Sequence, residues 1–107
     1  MRKIIYPGTF DPIHKGHLDI AVRASKLFDT LVFAVADNSS KNPLFTVDER
    51  VELILASTSD LHNVSAISTQ QLIAETAREE NACALIRGLR HVSDFEFEFQ
   101  MAMMNYH

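Results

Sequence analysis

Between Pro7 and His17 the chain sets two imidazoles, His14 and His17, three positions apart around Gly16, where a short β-prone run gives way to a helical pattern. A helix start presents free backbone N–H groups and the positive end of the helix dipole, so both rings can face a phosphate there. Gly16 removes the side chain that would block close approach. The segment is neither the dinucleotide pattern G-x-G-x-x-G nor the P-loop pattern G-x-x-x-x-G-K-[ST]. Two other readings stay open: a glycine-containing turn carrying two surface histidines, and a metal site completed by Asp11, though no further His or Cys lies nearby in the sequence.

Glycine is scarce, with 3 in 107 residues, against the roughly seven or eight expected from average usage. Gly8, Gly16 and Gly88 therefore mark segments of interest, and Gly88 is flanked by Arg87 and Arg90. A guanidinium fork suits phosphate because it donates two hydrogen bonds at once. The formal charge of −4 has the wrong sign for a protein whose main partner is nucleic acid. Cys83 is the single cysteine, so an internal disulfide is excluded, and its apolar surroundings read as those of an inert core thiol. No Ser/His/Asp or Cys/His arrangement stands out as a nucleophilic triad. The first six residues break at Pro7-Gly8, too soon for a secretory apolar core, and no apolar run approaches the ~18 residues of a membrane span. The expected location is the cytoplasm, with no membrane partner.

The elements that must position these residues follow from periodicity. With 47% hydrophobic and 22% charged residues and no biased tract, the chain has the make-up of one globular domain. Ile4–Tyr6 and Leu31–Ala36 read as strands buried on both faces, and His17–Phe28 between them as an amphipathic helix. Thr46-Val47-Asp48-Glu49 has the form of a capping box, and Val47, Val51, Ile54 and Leu55 continue a helical stripe behind it. Val64–Ile67 and Ala82–Ile86 read as strands around a helix over Leu72–Glu80. For Asp94–Tyr106 the period-two alternation of Phe95, Phe97, Phe99, Met101 and Met103 competes with a second capping box at Ser93. Its good helix formers favour a helix, apolar on two faces and so covered on both, with Asp94, Glu98 and Asn105 on the polar stripe between. Strand and helix alternate four times, which predicts an α/β fold with an open, mostly parallel, four-stranded sheet and helices on both faces. In such sheets ligands bind at the carboxyl ends of the strands. There the chain places Gly8–His17, Asp37–Lys41 and Arg87–Arg90.

Tyr6-Pro7-Gly8-Thr9-Phe10-Asp11-Pro12 followed by His14-Lys15-Gly16-His17 resembles the opening of the Rossmann-like nucleotidyltransferases that carry an H-x-G-H or T-x-G-H signature. Three later segments resemble, within that superfamily, the bacterial phosphopantetheine adenylyltransferases. They are Lys41–Thr46 with the Glu49-Arg50 pair, Leu85–Arg90, and Asp94–Glu98. The likeness runs through essentially the whole chain at unbroken spacing. It implies transfer of the adenylyl group of ATP to phosphopantetheine, giving dephospho-coenzyme A and pyrophosphate, with magnesium accompanying ATP. It also implies a homo-oligomer, commonly a hexamer, that coenzyme A can bind. The doubly apolar last helix independently hints at a buried contact.

Residue by residue, the resemblance puts His17 on the α-phosphate as a transition-state contact, with Thr9 and Phe10 holding nucleotide and substrate phosphate through their loop. His14 takes the first, phosphate-facing position of the signature, where close relatives usually have Thr. Lys41 matches the lysine on the incoming phosphate and Arg87 the arginine on phosphopantetheine. Gly88, Leu89 and Arg90 match a nucleotide-binding run, and Glu98 a residue near the nucleotide. Ile73 matches a substrate contact at a position that otherwise reads as core. His17, Lys41 and Arg90 are thus the expected catalytic residues, no protein ligand for a metal is expected, and His62, His91 and His107 carry no role. The family continues past His107 into a Ser/Thr-rich segment that helps hold the triphosphate, so residues 1–107 are expected to be a single nucleotidyltransferase domain that is C-terminally incomplete. Two alternatives remain. One is a transferase of the same superfamily acting on glycerol phosphate or nicotinate mononucleotide, against which Lys41 and the Arg87–Arg90 run argue; the other is a non-catalytic module that binds ATP or coenzyme A.

Overall fold

A computed structural model describes residues 2–37, 43–70 and 72–86, and the backbone of Phe99–Met101. The continuous apolar run of β2 (Thr30–Ala36) forms an inner strand, paired in parallel with β1 (Lys3–Gly8) on one side and β3 (Val64–Thr69) on the other. Residues Leu31, Phe33 and Val35 pack on one face of the sheet with Ile4, Tyr6, Ala84 and Ile86. Val32 and Ala34 pack on the other with Ile5. A strand buried on both faces has no polar phase, which is why its sequence shows no alternation. Among the described residues Phe33, 0% exposed, is the largest fully buried side chain, and truncating a phenylalanine in such a site costs about 3–5 kcal/mol.

Three helices follow from the stripes between these strands. α1 (Lys15–Leu27) and α2 (Val47–Ser57) bury Ala21, Ala24 and Ile54 on the Phe33 face, and α3 (Ile73–Glu79) buries Ala77 on the opposite face. α1 starts two residues before the expected His17, because His14 serves as its N-cap. α2 begins as expected: Thr46 Oγ1 accepts the Glu49 N–H at 3.1 Å and Glu49 Oε1 accepts the Thr46 N–H at 2.9 Å. Asn63 Nδ2 fastens the entry of β3 to the end of α1, donating to the carbonyls of Ser25 (2.8 Å) and Asp29 (3.2 Å).

β4 (Ala84–Ile86) lies in parallel beside β1, with Ile4 opposite Ala84 and Ile5 opposite Leu85. The sheet therefore runs β3-β2-β1-β4-β5, where β5 is Phe99–Met101. Its four parallel strands and its helices on both faces make it the expected Rossmann-like α/β fold. β5 is a correction, since Phe99–Met101 lies within the expected helix over Asp94–Tyr106 and instead pairs antiparallel with β4, adding among the described residues a fifth strand to the four expected parallel ones. Here the period-two alternation prevailed over helix propensity, as happens when an exposed strand edge offers backbone partners. The rest of that segment lies outside the described residues. Among the described residues no helix is long and apolar enough to cross a membrane.

Chain order reverses between β1 and β4: β1 leads to β2 and β3 on one side, and β4 joins on the other. Such a reversal is a topological switch point, and open α/β sheets hold their ligands at the carboxyl ends of the strands that flank it, here β1 and β4.

Candidate active site

The loop leaving β1 carries most of the site that can be described. Phe10 has φ 50°, in the left-handed region that costs a residue with a Cβ roughly 1–2 kcal/mol. Its ring is 3% exposed and meets Tyr6, Phe33 and His17 edge-on, at centroid distances of 5.1, 5.0 and 4.8 Å. A Cβ at Gly8 would come within 3.0 Å of Cε2 and Cζ of that ring. Gly8 is therefore the residue that lets the ring fold back beneath the strand end. The Asp11-Pro12 peptide is cis.

Asp11, the residue a metal site would have recruited, has both oxygens engaged: Oδ2 accepts the Leu44 N–H at 2.7 Å and Oδ1 the Phe45 N–H at 2.9 Å. From the other side Arg50 on α2, 4% exposed, donates from Nη1 to the carbonyls of Thr9 (3.1 Å) and Ala36 (3.2 Å). Its Nε donates to Phe45 (3.1 Å) and Thr46 (3.3 Å). Sequence reading noted the Glu49-Arg50 pair but gave Arg50 no role. The usable signal was its place on the stripe formed by Val47, Val51 and Ile54, where a charged residue needs internal partners.

At the start of α1 the two imidazoles replace the hydroxyl and carboxylate of an ordinary capping box. His14 Nδ1 accepts the Gly16 N–H and His17 Nδ1 accepts the His14 N–H, each at 3.1 Å. The rings stack with centroids 3.7 Å apart and 24° between planes. With each Nδ1 occupied as an acceptor, the proton of the neutral ring belongs on Nε2, and both histidines become Nε2–H donors. Burial, and second the charge of His14, lower the His17 pKa from 6.5 to about 4, so His17 is neutral at pH 7. Burial also pushes the Tyr6 phenol up to about 12, keeping it protonated. No acidic residue occupies the first turn of α1, which leaves the helix dipole uncompensated by the helix's own first turn.

The structure thus brings Thr9, Phe10, His14 and His17 together. Ile73 is elsewhere, half-buried in the core of the α3 face with Ile5, Val32 and Ala34. Close by, a cavity of about 550 Å³ opens beside the carboxyl ends of β2 and β3, bounded by Asp37, Thr69, Gln70 and Thr76 among others. Lys41, Arg87, Gly88, Leu89, Arg90 and Glu98 lie outside the described residues; in sequence the Arg87–Arg90 run directly follows β4. Cys83 is half-buried just before β4, packed against the core as its surroundings led one to expect.

Comparison with known proteins agrees with this fold. A crystal structure of the lipopolysaccharide core biosynthesis protein from Thermoplasma volcanium is 29% identical. The match covers 90% of this chain and 80% of that one, with a TM-score of 0.69. A bifunctional NMN adenylyltransferase/ADP ribose pyrophosphatase from Francisella tularensis, complexed with AMP and manganese, shares the fold at 17% identity and a TM-score of 0.58, over 75% of this chain and 26% of that one. Residues 5–107 match the Cytidylyltransferase-like family, so the chain belongs to that family of nucleotidyltransferases.

Proposed function

We propose that the protein is a pantetheine-phosphate adenylyltransferase, joining ATP and phosphopantetheine into dephospho-coenzyme A. The observation that carries the chemistry is the stacked pair of Nε2–H donors, His14 and His17, at a helix start with no acidic residue of its own. The choice of acceptor is supported by the sequence resemblance at Lys41, Arg87–Arg90 and Asp94–Glu98.

In this reaction an oxygen of the phosphopantetheine phosphate bonds to the α-phosphorus of ATP while the bond from that phosphorus to the α–β bridging oxygen breaks, releasing pyrophosphate. The attacking phosphate is already ionised at neutral pH, so no protein nucleophile and no strong base is required. What the protein supplies is alignment and donors for charge gathering on the phosphoryl oxygens. His17 donates from Nε2 to an α-phosphate oxygen, and His14 and the free N–H groups of α1 add to the same anion site. By resemblance, Thr9 and Phe10 shape the loop beneath both phosphates, and Lys41 and Arg87 hold the incoming one. Gly88, Leu89, Arg90 and Glu98 hold the nucleotide, and Ile73 borders the acceptor arm. Among the described residues no group of three His, Cys, Asp or Glu could hold a metal. By resemblance magnesium would accompany ATP and supply positive charge to its phosphate oxygens, and no residue is assigned to it. The same resemblance supports a cytoplasmic homo-oligomer, a hexamer, that also binds coenzyme A.

The test is pyrophosphate release with ATP or CTP against each of phosphopantetheine, nicotinate mononucleotide and glycerol phosphate. In the full-length protein, release with ATP and phosphopantetheine alone is the expected result. Release with another pair reassigns the acceptor or the nucleotide, and binding of ATP or coenzyme A without turnover on any acceptor replaces the enzyme with a binding module.

A further inference from the structure

Asp11 and Arg50 each reach backbone on the far side of the gap between the β1–α1 loop and α2. The Asp11 carboxylate takes the N–H groups of Leu44 and Phe45, while the Arg50 guanidinium donates to the carbonyls of Thr9 and Ala36 as well as to those of Phe45 and Thr46. A buried guanidinium satisfied by backbone carbonyls is costly to desolvate and uses the several directed donors that lysine lacks. The two anchors fall on either side of Phe10, one at the Thr9 carbonyl and one at the Asp11 side chain. Phe10 is the residue held at φ 50°, and an aromatic residue stays in that region only where its surroundings over-determine it.

We infer that Asp11 and Arg50 are positioning residues that act through Phe10, clamping its ring against the His17 imidazole so that one side of the imidazole is closed to water and its Nε2 is fixed in place. The ring sits 4.8 Å from the imidazole, and burial is the larger cause of the depressed His17 pKa. Among the described residues the titratable groups facing His17 are Tyr6 of β1 and His14 at the start of α1. The consequence for catalysis rests on the proposed role of His17 at the α-phosphate, whereas the clamp itself can be read in the free protein.

The experiment is an NMR titration of the imidazoles in the parent protein, Asp11→Asn and Arg50→Lys, with exposed His62 as internal reference. Both substitutions keep size and polarity but break the clamp. The His17 pKa is expected to rise from about 4 by one unit or more towards its ordinary value, with His62 unmoved. Removing the negative charge of Asp11 would by itself push an imidazole pKa down, and Arg50→Lys changes no charge, so a rise in both has the sign of a loosened His17 environment and not of the altered charge. Folded variants with His17 at its parent value overturn the inference, even if their melting temperatures fall. If Arg50→Lys does not fold, Asp11→Asn alone decides. A parent protein that binds no nucleotide defeats the proposed function and leaves this titration to judge the clamp.

Discussion

α1 and α2 begin with the same backbone solution and opposite electrostatics. Both use a reciprocal capping box, in which the N-cap side chain takes an N–H of the first turn and the third helical residue reaches back to the N-cap N–H. In α2 the groups are Thr46 and Glu49, and Asp48 adds a second carboxylate, so the positive end of the dipole is answered within the protein. In α1 the groups are His14 and His17, and the first turn holds no acid. One start is closed by its own charge and the other is left for an anion to complete. The difference turns on residue type and not on geometry.

Four measurements would break or sharpen that comparison. The largest effect is expected from His17→Ala, which should lower kcat by about 10²–10³-fold, the usual loss for one transition-state donor, while KM for ATP changes far less. Equal losses in both would make His17 an ordinary binding contact. Next is pH. Between about 4 and 6.5 the unfolded chain protonates His17 and the folded one does not, so stability should fall as pH drops through that window. Because His17 is only half-buried the loss should be on the order of 1–2 kcal/mol, less than the full shift would give. Urea unfolding at several pH values should show it in the parent protein and not in His17→Gln. Third, Thr46→Ala should cost about 1 kcal/mol, or about 4–8 °C in Tm, with nucleotide affinity unaltered. Smallest are the charge exchanges, each worth about 0.3–1 kcal/mol in helix stability. Lys15→Glu should stabilise α1 and weaken nucleotide binding several-fold, whereas Asp48→Asn should destabilise α2 and leave binding alone. If Lys15→Glu binds nucleotide as well as the parent, the open start of α1 is not where the anion sits.

The parallel core was legible because Leu31–Ala36 is apolar at every position, short, and rich in β-branched and aromatic residues, as a strand covered on both faces is. Thr46 announced α2 because it carries the usual cap residues. The start of α1 was misplaced by two residues because imidazoles are rare caps, so the sequence signalled chemistry at His14 but not a boundary. Arg50 escaped notice as a site residue for a different reason. Its partners are carbonyls of Thr9, Ala36, Phe45 and Thr46, and backbone acceptors leave no trace in a sequence. β5 was misread because Phe99, Gln100 and Met101 suit a helix as well as a strand, and what decides is the free edge of β4, known only once the sheet is assembled.

The sheet order also bears on how the chain reaches this state. β1 lies between β2, reached through a single helix, and β4, which follows two more helices and another strand. During synthesis the β1–α1–β2 unit can therefore close early, while the opposite edge of Ile4 and Ile5 waits several seconds for Ala84 and Leu85 at typical elongation rates. Until then an apolar strand edge stands open beside the loop that carries the histidines. Substitutions that weaken Ala84–Ile86 should for that reason lower the yield of soluble protein before they alter its affinity for anything.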